Sequence, residues 1–143
     1  MDTLRLTLRV DLGNGRALGP GKIRLLEAIA STGSISQAGR QLGMSYRRAW
    51  LLVDDMNSCF RDPVIAAQPG GTHGGGATLT AFGQKLVDRY RAIEADTQVT
   101  ARKYLHDLEA ALKVRRRDVP RIRSSAQHGH QQLASDGLAF APN

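Results

Sequence analysis

Cysteine is almost absent from this sequence: Cys59 stands alone, so no disulfide can form within the chain, and its place in a predicted helix suits a buried, inert thiol. Aromatic side chains make up only 5% of the residues, too few for the exposed stacking surfaces that hold single-stranded RNA. No apolar run approaches the roughly 20 residues that span a bilayer. Arg5 and Arg9 interrupt the only leucine-rich stretch near the start, so no secretory leader is expected. The expectation is a soluble, cytoplasmic protein without a membrane partner. Acidic residues are in the minority, 13 against 20 Lys and Arg, which leaves a net charge of +7 and an isoelectric point near 10.3. Such a balance favours anionic partners, with nucleic acid the first candidate. No Ser/His/Asp or Cys/His set can be assembled, and His128 and His130 lack companion ligands. Neither an enzyme, nor a metal site, nor a cofactor is expected.

The 143 residues suffice for one domain with one modest core. Leu4, Leu6, Leu8, Val10 and Leu12 alternate with polar residues, the pattern of a half-buried strand. Asn14-Gly15 signals a tight turn, with a return strand at 16–18 completing an N-terminal β-hairpin. Pro20 opens a helix with Ile23, Leu26, Ile29 and Ala30 at helical spacing, and Gly33 ends it.

The segment GSISQAGRQLGMSYRRAW then holds two helix starts and a stop. Ser34 with Gln37 fits a capping box for a short helix over 35–42, Gly43 stops that helix, and Ser45 caps the next. From Tyr46 to Phe60 one apolar stripe runs through Ala49, Val53, Met56 and Phe60, with Trp50 and Leu52 widening it toward the core. Two helices joined this tightly and packed on a preceding one form a helix-turn-helix. Residues 64–67 and 77–79 read as strands around a loop with five glycines, a β wing. That loop leads into a strand and lacks a Gly-Lys-Ser/Thr ending, which excludes the common nucleotide-binding loops. The fold class is therefore mainly α, a winged helix-turn-helix.

Thr80 caps a long C-terminal helix with apolar positions at Phe82, Leu86, Tyr90, Ile93, Thr97, Ala101, Tyr104, Leu108 and Leu112, close to an eleven-residue repeat. For Phe82 to Ile93 two uses stay open, covering the domain's own core or pairing with a second subunit. Beyond Thr97 a dimer partner is the expected use. We divide the chain into a winged domain at 1–95, an extension of the dimerisation helix at 96–114 and a basic tail at 115–143 that is expected to be disordered.

A helix read by the major groove needs donors for base edges and hydroxyls or amides for phosphates. Ser45 and the first-turn amides suit a phosphate, Tyr46 a sugar or phosphate, and Arg47 and Arg48 the O6 and N7 of guanine. Ser34 and Ser36, at the start of the preceding short helix, join this candidate DNA-binding set, as do Thr72 and His73 at the wing tip. A solvated helix face is the bland alternative for the arginines. Asp54 and Asp55 read as a solvated pair.

These residues also carry a family resemblance. The stretches GSIS, GMSYRRAW, GGTHGGGATLT and FGQ closely resemble the DNA-binding half of the ModE family of molybdate-responsive transcription regulators, over residues 4 to 95. SISQAGRQLG and LTAFG also resemble the winged domain of LysR-type regulators. The resemblance implies a homodimer bound to double-stranded DNA at an inverted-repeat operator, with control of molybdate uptake or molybdoenzyme genes. It implies dimerisation through the long helix, to which we assign Phe82, Leu86, Tyr90, Ile93, Tyr104 and Leu108. Full-length relatives append molybdate-binding domains, and the last thirty residues here are not expected to form one. Constitutive action, heterodimerisation with a full-length paralogue, or signalling from a separate oxyanion-binding protein stay open, as does a general basic nucleic-acid-binding role.

Residues 113–143 carry six Lys and Arg against two acidic residues. Deleting them is expected to weaken salt-sensitive, non-specific DNA affinity and to leave the preferred sequence unchanged, as measured by selection from random duplexes at two salt concentrations.

Overall fold

The computed structural model describes residues 4–68 and 76–113. The elements are β1 (Val10–Gly13), β2 (Arg16–Leu18), α1 (Pro20–Thr32), α2 (Ile35–Gln41), α3 (Tyr46–Cys59), β3 (Ile65–Gln68), β4 (Gly76–Leu79) and α4 (Ala81–Ala110). This is a winged helix-turn-helix with an N-terminal hairpin and a long last helix, as the sequence pattern predicts. The chain divides into two units, residues 1–109 and 110–143. The expected basic tail lies outside the described residues.

The hairpin is antiparallel, with Val10 opposite Leu18 and Asp11 opposite Ala17. Asn14 and Gly15 turn it with φ of 53° and 73°, the consecutive left-handed pair that a two-residue turn demands. The expected strand from Leu4 is shorter than its pattern. Residues 4–9 alternate in burial but pair with no strand, so regular β structure begins only at Val10.

Pro20 sits in the first turn of α1, and Gly33, at φ 69°, closes it by donating its N–H to the Ile29 carbonyl at 2.8 Å. Ile23, Leu25, Leu26 and Ile29 are fully buried and form the centre of the core. Ala30, expected among them, faces solvent, because Leu25 and Ala28 complete the inward face instead. The Ser34 hydroxyl accepts the Gln37 N–H, as a cap should. The reciprocal half of the capping box is replaced: the Ser34 N–H donates to Thr32 Oγ1.

Helices α2 and α3 meet at Gly39, where an added Cβ would lie 3.1 Å from the Ala49 Cβ. Ala49, Val53 and Met56 turn inward, as their spacing predicts. The wing strands pair antiparallel from Ile65 with Leu79 to Gln68 with Gly76. Its base is fixed twice, through the Ala77 N–H to the Gly33 carbonyl and through the side-chain oxygen of Asn57, which accepts the N–H groups of Val64 and Ile65.

Helix α4 begins at Thr80, whose hydroxyl accepts the Gly83 N–H and donates to the Pro63 carbonyl. Gly83 rests directly on the carbonyl of Val64, where a Cβ would overlap the oxygen. About two turns further on, Tyr90 is 1% exposed and its hydroxyl donates to the Leu8 carbonyl. Arg91 forks to Glu27 on α1 and to Glu94, and these hydrogen bonds push its guanidinium pKa above the ordinary arginine value.

Two sequence readings need correction here. Asp54 is exposed, but Asp55 is not a solvated charge: Lys22 donates to it at 2.7 Å and Arg16 lies at 3.6 Å, tying α3 to α1 and to β2. Cys59 is half-buried instead of enclosed, with Arg16 Nη1 3.6 Å from its sulfur.

Two outcomes follow from these contacts. Replacing Gly83 by Ala is expected to destabilise the domain by about 3 kcal/mol, the upper range for an overpacked site, because the obstacle is backbone; urea unfolding measures it. The Lys22 hydrogen bond holds the Asp55 carboxyl below its usual pKa, with the charges of Lys22 and Arg16 adding to the effect. A carboxyl lowered in the folded state stabilises fully above its unfolded pKa of about 4 and loses that contribution as pH falls through the folded value. The stability gap between wild type and Asp55→Asn is therefore expected to be full at pH 7 and to shrink below pH 4.

Candidate nucleic-acid interface

The start of α3 is built by its cap. Ser45 adopts an extended backbone and its Oγ accepts the Arg48 N–H at 3.2 Å, while the other amides of the first turn have no partner within the helix. With Ala49, Val53 and Met56 committed to the core, the helical period sends Arg47, Leu51, Asp54 and Ser58 to the opposite side, and all four are exposed. Arg48 is exposed beside them. Among the described residues neither Arg47 nor Arg48 forms an ion pair, so both guanidiniums keep their donors for another molecule.

A cleft of about 970 Å³ lies beside this face, between α2, α3 and the wing. From α3 it is lined by Tyr46, Trp50, Asp54 and Asn57. Ser34, Ser36 and Arg40 line it from the α2 side, and Ala67 and Gly76 from the wing. Ser36 Oγ accepts a long hydrogen bond, 3.5 Å, from Arg40. The structure thus brings Ser34, Ser36 and Tyr46 to one cleft, with Ser45, Arg47 and Arg48 at the same helix end. Thr72 and His73 lie outside the described residues.

Trp50 corrects the sequence reading. Expected in the core, it is 47% exposed and lines the cleft. The signal was present: Trp50 is one residue past Ala49, about 100° around the helix from the inward stripe, and four residues past Tyr46, which is 58% exposed.

The apolar stripe of α4 divides in two. Phe82 and Leu86 pack against the core, Phe82 in a tilted ring contact with Phe60 at 5.2 Å, and Tyr90 is enclosed. Of the two uses left open for Phe82 to Ile93, the structure shows Phe82, Leu86 and Tyr90 covering the domain's own core. Ile93, Tyr104 and Leu108 are exposed. Among the described residues no cluster of His, Cys, Asp and Glu could hold a metal ion, and no helix is long and apolar enough to cross a membrane.

Residues 21–84 match the family described as bacterial regulatory helix-turn-helix protein, lysR family. The match runs from the start of α1 into the first turn of α4, so it contains all three core helices and the wing strands. The chain is 43% identical over 117 residues to the molybdenum-pterin-binding protein MopB of Rhodobacter capsulatus, covering 80% of this chain and 42% of that protein. It is 42% identical over 94 residues to the molybdenum transport protein ModE of Azotobacter vinelandii, covering 66% and 34%. Over 71 residues it is 42% identical to the DNA-binding transcriptional dual regulator ModE of Escherichia coli (strain K12), covering 50% and 27%. The chain thus spans less than half the length of each of these relatives. The tri-helical core and wing thus fall within the match at residues 21–84 to the regulatory helix-turn-helix of the bacterial lysR family, and the chain is similar to the MopB and ModE proteins over the lengths given.

Proposed function

We propose that this chain is a sequence-specific DNA-binding transcription regulator of ModE type. The observation that carries the reading is the start of α3, where Ser45 caps the helix and Arg47 and Arg48 stand exposed with no ion pair among the described residues. An arginine held this way presents a planar pair of donors that fits the O6 and N7 of guanine. The same helix end offers backbone amides to a phosphate. Charge supports the reading, since the excess of basic residues favours the phosphate backbone.

The proposed complex is a homodimer on an inverted repeat, each subunit placing α3 in one major groove. Half-sites then lie about one helical turn, ~34 Å, apart. The exposed side of α4 that carries Ile93, Tyr104 and Leu108 supplies the subunit contact. Two of the relatives' names, those of MopB and of the Azotobacter vinelandii ModE, mention molybdenum, and control of molybdate-uptake or molybdoenzyme genes is the regulon proposed here.

Selection of bound duplexes, followed by affinity measurements on single-base variants, tests this directly. Arg47→Ala and Arg48→Ala are each expected to relax preference at one position per half-site, at about 1–3 kcal/mol for a lost guanine contact. Unchanged selectivity in both variants would move base recognition away from α3.

A further inference from the structure

Trp50 is a large apolar side chain left half in solvent at the edge of a cleft, in a domain whose other core positions on the same helix are filled. No hydrogen bond within the chain engages its indole N–H among the described residues, and no ring contact does so. The indole therefore has an apolar face and a polar tip to offer a partner that presents both.

The walls of the cleft indicate which partner. At its α2 side stand Arg40 and the hydroxyls of Ser34 and Ser36, and at the adjoining end of α3 stand Arg47 and Arg48. The opposite charge appears at Asp54, one turn beyond Trp50, which bounds the surface an anion can follow. A strand of duplex DNA whose bases meet the start of α3 continues past that start, between the helix and the wing. Its deoxyribose rings are apolar and its phosphates alternate with them.

Resting on the DNA reading above, we propose that Trp50 is a DNA-contacting residue that packs its indole on a deoxyribose of the strand lying in this cleft and donates its N–H to the neighbouring phosphate. Such a contact positions the duplex against α3 and carries no base preference of its own. It also sets Trp50 apart from the arginines beside it, which differ in charge and in what they read. An apolar contact releases no counterion, so it adds affinity without adding salt dependence.

Trp50 is the only tryptophan in the chain, so the intact protein reports on the contact without a label. The experiment follows binding to a selected duplex by anisotropy of labelled DNA and, in parallel, quenching of tryptophan fluorescence by acrylamide. In the saturated complex the emission is expected to shift to shorter wavelength and acrylamide quenching to fall at least twofold. Trp50→Ala is expected to weaken binding about tenfold, by the same factor on every sequence tested and with an unchanged salt slope. Trp50→Phe is expected to recover part of the loss, since it restores the apolar face and lacks the N–H. A thermal melt of each variant separates lost contact from lost fold, and the quenching result on the unaltered protein stands independently of both. Binding with undiminished quenching overturns the proposal and leaves the DNA reading intact. A Trp50→Ala variant that is folded, binds as wild type or changes base preference also overturns it. Failure of the unaltered protein to bind any duplex removes the DNA reading and this proposal together.

Discussion

The peptide of Val64 is where α3, the wing and α4 are tied to one another. Its N–H donates to the side chain of Asn57 on α3, and its carbonyl accepts the N–H of Thr80 at the end of β4. Gly83 of α4 lies flat against that same carbonyl because it has no side chain. The Val64 side chain is fully buried, so the knot cannot be loosened toward water without exposing core. Every hydrogen-bonding group at the junction thus has a defined partner, and the three elements take one relative arrangement.

That arrangement determines what α3 can present. Once Asn57 is fixed to the wing and Asp55 to Lys22, the helix cannot rotate about its axis, and burial of Ala49, Val53 and Met56 sets the same angle from the other side. The exposed positions are a consequence of these anchors. Arg47 and Arg48 stay in solvent because the residues around them are held, and the cleft beside Trp50 keeps its width because the wing base hangs on Gly33. The cap at Ser34 and the turn at Gly43 keep α2 short enough for the contact between Gly39 and Ala49.

Much of this was legible in the sequence where the governing interaction is local. Ser34, Ser45 and Thr80 cap helices through hydrogen bonds spanning three residues, and Asn14-Gly15 and Gly33 adopt left-handed conformations that few other residues tolerate. What stayed hidden depends on distant partners. The alternation at Leu4–Arg9 promised a strand, but a strand exists only where another pairs with it. Asp55 looked solvated because Lys22 and Arg16 are 33 and more residues away in the chain. Tyr90 fitted the outer stripe of α4 equally well until the hydroxyl found the Leu8 carbonyl, 82 residues before it. Trp50 was misjudged for a different reason. A tryptophan invites assignment to a core on its chemistry alone, whereas the helical angle from Ala49 already placed it at the margin.

The fork of Arg91 with Glu27 and Glu94 has a mechanical side. It lies near the last point at which α4 touches the rest of the domain, since Ile93 and most of the residues after it are exposed. The helix beyond behaves as an arm clamped at one end. From Arg91 to Glu109 that arm is about 27 Å long, so a tilt of about 10° at the clamp carries its far end through roughly 5 Å. Glu27 belongs to α1, whose C-terminal Gly33 holds the wing through Ala77 and precedes the cap of α2. A load applied to the arm therefore has a route to the cleft through α1 beside the one through the Val64 junction, as leverage on a rigid rod.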